Sequence, residues 1–266
     1  MNDLVRATLV ECQKLRRTLA LRAALLLPLG GVAMTTVVNL TRATRSDFVL
    51  DHPNGWETLM LDLTLTLWCF VVLPLFVSLE TALLAGIEHR ENNWKHLFAL
   101  PVPRWTIYTA KLLVAFGLVG LTSLELAVGI GLEGMMILKA RPDLGLAYPI
   151  PWGLIWWRTF STLPAALLMV AVQTWLAVRW RSFTVPMGVG IGCTAVTIML
   201  LRTLKNAAST PIGPMLASFF PWSLPYVVIS PAATAGLRQT AFLVGVLGGL
   251  LVSVIGCWDA TRRDVT

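Results

Sequence analysis

Apolar residues fall along this chain in six long runs with shorter polar stretches between them, at residues 23–40, 63–87, 112–132, 160–178, 185–201 and 241–258. Within each run the apolar positions do not alternate as the strands of a closed membrane barrel must. About 20 mostly apolar residues wound as a helix cross the roughly 30 Å of bilayer hydrocarbon. A helix also satisfies every backbone N–H and C=O without water. The pattern therefore predicts an all-α integral membrane protein with six transmembrane helices, the fifth of them short. No fixed-period repeat or low-complexity tract divides the chain. Residues 23–266 read as one transmembrane domain.

Three stretches depart from the span pattern. Residues 1–22 place Leu4, Thr8, Cys12, Leu15 and Leu19 near one helical face, with Arg6, Lys14 and Arg17 mostly off it. That is the pattern of a helix lying in the membrane interface; a loosely ordered cytoplasmic tail is the plainer alternative. Basic residues before an apolar run also begin a signal peptide. The run to Leu40 is long, however, and NLTRATR offers no A-x-A cleavage site, so an uncleaved first span is expected.

Residues 202–240 form a long connection that contains PIGPMLASFFPWSLPYVVISP. No single helix runs through Pro211, Pro214, Pro221, Pro225 and Pro231. The stretch is apolar yet too interrupted to span, which suits a re-entrant or surface-lying element in the outer leaflet. Trp222 and Tyr226 suit the headgroup level, and Phe219 lies beside them.

The third stretch, GIEHRENNWKHLFALPVPRWTIYTAK, holds the densest charge in the middle of the chain. Asn92 or Asn93 supplies a helix cap. Trp94, Leu97 and Phe98 then fall at i, i+3 and i+4 on one stripe, with Glu91 and Lys95 paired at i, i+4 on the wet side. Pro101 and Pro103 end the helix, and Lys111 marks the inner end of the third span. A short amphipathic helix between spans two and three follows. It either rests on headgroups or seats its stripe in the cleft of a soluble partner.

Composition sharpens this picture. Of 266 residues, 56% are hydrophobic and 13% charged, against about 25% charged in average soluble domains. With six spans both termini share a side. That side (residues 1–22, 88–111, 179–184 and 259–266) holds 13 Lys+Arg in 60 residues; the other (41–62, 133–159 and 202–240) holds 8 in 88. The denser side is cytoplasmic by the positive-inside rule. The net charge of +7 is spent at headgroups, and no zinc-finger or single-strand-binding pattern points to nucleic acid. Cys12, Cys69, Cys193 and Cys257 include no C-x-x-C pair, and none lies in a predicted external loop, so neither a disulfide framework nor a metal cluster is expected.

Ionisable and amide groups inside the spans need a reason, since an ionised group costs at least about 2.5–3.5 kcal/mol to insert. Glu80 falls in span two, Glu125 in span three, Gln173 in span four, and Glu133 just past the end of span three. Either they line a transport pathway or they join helices through hydrogen bonds and ion pairs. Pro74 and Pro164 interrupt spans two and four, as packing kinks or as bending points.

LETALLAGIEHRENNWKHLFALPVPRWTIYTAKLL resembles the second-span and coupling-loop segment of ABC-2 type transporter permeases. The shared features are an acid in the span, an acidic–basic run, a Leu-rich helix, a Pro-rich end and a Lys opening the next span. VQTWLAVRWRSFTVPMGVGIG and FFPWSLPYVVISP resemble later parts of the lantibiotic-protection (bacteriocin immunity and export) permeases of that class. The likeness covers nearly the whole chain in length and span order. It implies that residues 1–22 are an elbow helix. It implies that Glu88, Arg90, Glu91, Trp94, Lys95, Leu97 and Phe98 belong to a coupling helix inserted into an ATPase. It further implies that Phe219, Trp222 and Tyr226 sit on the re-entrant outer element.

The implied assembly is two permease subunits, alike or different, with an ABC ATPase dimer that binds ATP and Mg, in the bacterial cytoplasmic membrane. The sequence agrees on one point independently: none of the five lysines follows a glycine, so no G-x-x-x-x-G-K-[ST] loop cradles phosphates here. The expected function is export of a hydrophobic or amphipathic compound, such as a peptide antibiotic. A sensor or assembly factor on the same scaffold is one alternative. A membrane-embedded enzyme is another, but His89 and His96 form no H-E-x-x-H and no G-x-S-x-G appears.

Overall fold

Helix is the sole regular structure among the described residues of the computed structural model, which describes residues 3–16, 18–41, 55–90, 103–144, 146, 149–204 and 212–262. Helix α1 (Asp3–Leu15) ends in a turn where the Thr18 hydroxyl donates to the Leu15 carbonyl at 2.7 Å. Helix α2 (Leu19–Thr41) follows at once. The second apolar run is a succession: a π-helical Trp56–Leu61, α3 (Asp62–Leu67), a π-helical Trp68–Val72 and α4 (Leu73–Arg90). Helix α5 (Arg104–Ala140) has 37 residues, about 55 Å at 1.5 Å per residue. It outruns the hydrocarbon core at both ends, and Pro103 stands at its N-cap. The predicted 112–132 is only its central part.

Helices α6 (Trp152–Phe160) and α7 (Thr162–Arg179) are nearly continuous, then come α8 (Thr184–Leu204), the short α9 (Ile212–Ala217) and α10 (Leu224–Ile229). The chain closes with α11 (Ala235–Leu243), a π-helical Val244–Gly248 and α12 (Gly249–Arg262). Much of the predicted 133–159 loop is thus helical, in the end of α5 and in α6.

Five described helices are long and apolar enough to cross a membrane: Leu19–Thr41, Leu63–Gly86, Arg104–Ala140, Trp152–Arg179 and Ala235–Arg262. The fifth apolar run forms α8, whose apolar part, Thr184–Leu200, is shorter than the others. By this measure the six expected spans become five and a shorter one.

Pro74 and Pro164 coincide with irregular helix one turn upstream, whereas α2 runs unbroken through Pro28. A proline has no N–H for the carbonyl at i−4, and its ring presses on that carbonyl. For Pro74 that carbonyl is Phe70, inside the π-helical Trp68–Val72. For Pro164 it is Phe160, where α6 ends and Ser161 interrupts the helix.

Helix α5 is the spine, with α1, α2, α7 and α12 packed on it, while α4 lies against α7 and α8. Its buried face runs from Tyr108 through Ala115, Leu126 and Ile130 to Ile137. Between helices in lipid there is no hydrophobic gain to be had, so close packing and small residues hold them. Gly245 shows this: a Cβ there would strike the backbone of Ala165, so α7 meets the last helix backbone to backbone. The outer surface is apolar. Leu26, Met34 and Val37 on α2 and Leu247, Leu251 and Val254 on the closing helix are all more than half exposed. A belt of this kind is a liability in water and ordinary in lipid.

Candidate functional site

Polar chemistry gathers at the two ends of the bundle and at one place between them. The first end is built on Lys111, buried at the start of α5. Its ammonium donates to Glu11 Oε2 of α1 at 2.9 Å and to the Leu84 carbonyl of α4 at 3.3 Å. Glu11 also accepts from Lys14 at 2.7 Å through Oε1. Glu11 is 4% exposed and Lys111 1%, so this is a buried ion pair that ties three helices. Nearby, Thr109 of α5 and Cys257 of α12 share a hydrogen bond of 3.3 Å. Asp259 of α12 accepts from Arg179 Nη1 at 2.8 Å and from Trp175 Nε1 at 3.2 Å, both on α7. Helix α1 and the C-terminal end of α12 therefore lie at the same end of the bundle. A cleft of about 330 Å³ opens there between α4, α7 and α8, lined by Leu83, Gly86, Ala177, Arg181, Phe183 and Pro186.

The opposite end is closed by Arg141, just past α5. Its Nη1 donates to the Leu40 carbonyl at 2.8 Å, filling an acceptor that the end of α2 leaves open. Its Nη2 meets Asp143 Oδ2 at 2.8 Å, and that hydrogen bond pushes the guanidinium pKa further up. Next to it Glu133 is buried among Thr35 and Asn39 of α2 and Thr64 of α3. Lys111 and Glu133 are 22 residues apart on one helix, about 33 Å. The two clusters thus bracket a length equal to the hydrocarbon core.

Between them lie two of the predicted pathway residues. Gln173 Nε2 donates to Ser78 Oγ at 3.0 Å, across α7 and α4. Gly190 of α8 closes over this pair: a Cβ there would collide with both Ser78 and Gln173. Glu80 is wholly buried on α4, and neither carboxyl oxygen has a hydrogen-bond partner; Gln173 Oε1 is likewise unpartnered. Glu125 is half-buried, with Oε2 unpartnered. Among the described residues, no hydrogen bond joins Glu80, Glu125 and Gln173 to one another.

Of the residues assigned to the coupling helix, Glu88 and Arg90 fall in the last turn of α4. Glu91, Trp94, Lys95, Leu97 and Phe98 lie outside the described residues. Of the residues assigned to a re-entrant outer element, Phe219 is half exposed and Trp222 is buried. The Trp222 ring stands 5.8 Å from Phe220, and Tyr226 meets Phe70 edge-on at 5.8 Å.

Sequence reading missed the Glu11–Lys111 and Glu133 clusters. A signal existed for the first. Leu4, Thr8, Glu11 and Leu15 are spaced 4, 3 and 4, as well as any set through Cys12. In the fold Glu11 faces inward and Cys12 is exposed. No group of three or more His, Cys, Asp or Glu side chains among the described residues is arranged to hold a metal ion.

A helical chain with several membrane-length apolar helices and a lipid-suited outer belt is a multi-pass membrane protein. Residues 9–200 match the family model described as ABC-2 family transporter protein, and the chain belongs to that family. The family supplies membrane subunits of transporters, not themselves catalytic, that typically work with an ATPase partner. No curated protein matches the chain.

Proposed function

We propose that this chain is the membrane-spanning permease subunit of an ATP-driven exporter that removes a hydrophobic or amphipathic compound, a peptide antibiotic for example, from the membrane or cytoplasm. The observation that carries the reading is the family match over residues 9–200 in a sequence with no phosphate-cradling loop of its own. Energy then has to come from a separate ATPase, and the ATP and Mg belong to that subunit. Helix α8 serves as a sixth, short span, which returns the chain to the side on which it began. The end that holds Lys111 and Asp259 is cytoplasmic, in keeping with the bias of basic residues.

In this reading α1 is the elbow helix. Glu88, Arg90, Glu91, Trp94, Lys95, Leu97 and Phe98 form the handle gripped by the ATPase, directly between α4 and α5. Motion of the handle reaches the bundle through Lys111, which already joins α1, α4 and α5. Glu80, Glu125 and Gln173 contribute polar positions along the path, and Phe219, Trp222 and Tyr226 cap it on the outer side. Two permease subunits and two ATPase subunits make the working unit in the bacterial inner membrane.

Purification from native membranes in mild detergent tests the reading. An ATPase subunit co-purifies with the wild-type chain, and Trp94→Glu loses it while the permease still inserts. Recovery of the permease with no ATPase, together with full function of Trp94→Glu, would sink the assignment.

A further inference from the structure

Among the described residues, Glu133 is an acid with no counter-charge in contact with it. It is 2% exposed, and no ion pair with a described residue reaches it. Its hydrogen-bond partners are neutral. Asn39 Nδ2 donates to Oε1 at 3.1 Å, and the Thr35 and Thr64 hydroxyls approach Oε2 at 3.1 and 3.4 Å. Thr64 also donates to Thr35 at 3.2 Å. Asn39, Thr35 and Thr64 are as deeply buried as the acid, and Asn39 Oδ1 has no partner. A carboxylate taken from water without a compensating charge is far costlier than a neutral polar group.

The hydroxyl hydrogens are too few to serve every acceptor around the acid. Thr35 Oγ1 also lies 3.0 Å from the Val32 carbonyl and 3.2 Å from that of Gly31. Its one proton serves either the helix backbone or Glu133. Thr64 has one proton for Thr35 or for Glu133. What the cluster holds in excess is oxygen: two from Glu133, one each from Thr35 and Thr64, and the orphaned Oδ1 of Asn39. The two ends of an amide differ little in shape. Turning the Asn39 amide over aims Oδ1 at the carboxylate, an arrangement that repels unless a positive charge lies between them.

We propose that Glu133, Asn39, Thr35 and Thr64 form a binding site for one small monovalent cation, with sodium as the fitting probe. Hard cations take oxygen ligands of this type. A single carboxylate is neutralised by a single positive charge, whereas a divalent ion would leave a net charge buried. The depth of the site excludes an organic cation. The ligands come from α2, α3 and α5, so an occupied site clamps the ends of the first three apolar runs together, opposite the Lys111 node. The proposal does not depend on the transport reading.

The test is thermal unfolding of the purified full-length protein in detergent, with sodium chloride replacing choline chloride at constant ionic strength. Sodium raises the midpoint in a saturable way. Glu133→Gln raises the half-saturating concentration at least tenfold or abolishes the response. Thr64→Val, which removes one oxygen at nearly constant shape, raises it by a smaller factor and guards against misfolding of the first variant. Asp143→Asn, at the same end of the bundle, leaves the response intact. Equal midpoints in sodium and choline, or an undiminished response in both Glu133→Gln and Thr64→Val, overturns the proposal. So does a midpoint that moves with pH and with no alkali cation, which would make Glu133 a protonated acid only.

Discussion

At the scale of single residues, burial decides which charges matter. Lys111 and Glu11 are almost free of solvent, so losing Lys111 leaves the buried Glu11 with Lys14 as its remaining ion-pair partner, at a cost below the about 3–5 kcal/mol of a wholly uncompensated buried charge. Lys111→Met is expected to lower the thermal midpoint of the purified protein. Adding Glu11→Gln to it is expected to recover part of the loss, because the acid that lost its buried partner goes too. Two single effects that simply add would show that the pair is not a coupled unit. The Arg179–Asp259 bridge is as short, 2.8 Å against 2.9 Å, but has an arginine side chain 44% exposed, and such pairs contribute at most about 1 kcal/mol. Lys111 was legible as a basic residue near the start of the third span. Its partner was not, since 100 positions separate the two, and helical spacing alone does not choose between residues 11 and 12 as the inward position.

At the scale of elements, close approach and proline explain most departures from regular helix. Helix α8 reaches the Ser78–Gln173 hydrogen bond because position 190 has no side chain. Gly190→Ala is expected to cost about 1–3 kcal/mol by overpacking, read as a lower unfolding midpoint. Ser78→Gly in the same chain is expected to restore much of it. A Gly190→Ala protein of unchanged stability would mean that α8 does not sit so close. The apolar runs made the long helices legible, and the prolines announced their irregularities. The site of two of them follows from the missing N–H, one turn before Pro74 and one before Pro164; the π-helical Trp56–Leu61 and Val244–Gly248 have no proline one turn on. The full reach of α5 was not legible, because a 37-residue helix continues into polar residues that hydropathy assigns to loops. The short α9 and α10 were hidden for a related reason: proline fits in a first helical turn, so Pro214 and Pro225 begin helices rather than forbid them.

At the scale of the whole molecule, the sequence carried the class of protein, since 56% hydrophobic residues in long unbroken runs leave lipid as the solvent. It also carried the family, which residues 9–200 establish. The Glu133 cluster was not legible, because its members lie on three helices and only folding brings them together. The molecule has buried polar clusters about 33 Å apart along α5, an apolar belt between them, and a charged connection from α4 to α5 at the end where α1 and the end of α12 lie. The account makes that connection a handle for a nucleotide-hydrolysing partner. A photo-crosslinking amino acid placed at position 94, activated in native membranes, tests this most directly. The account predicts a single crosslinked species with an ATPase subunit, weakened when Leu97 and Phe98 are replaced by charged residues. Crosslinks to lipid alone, with nucleotide present and with nucleotide absent, would contradict it.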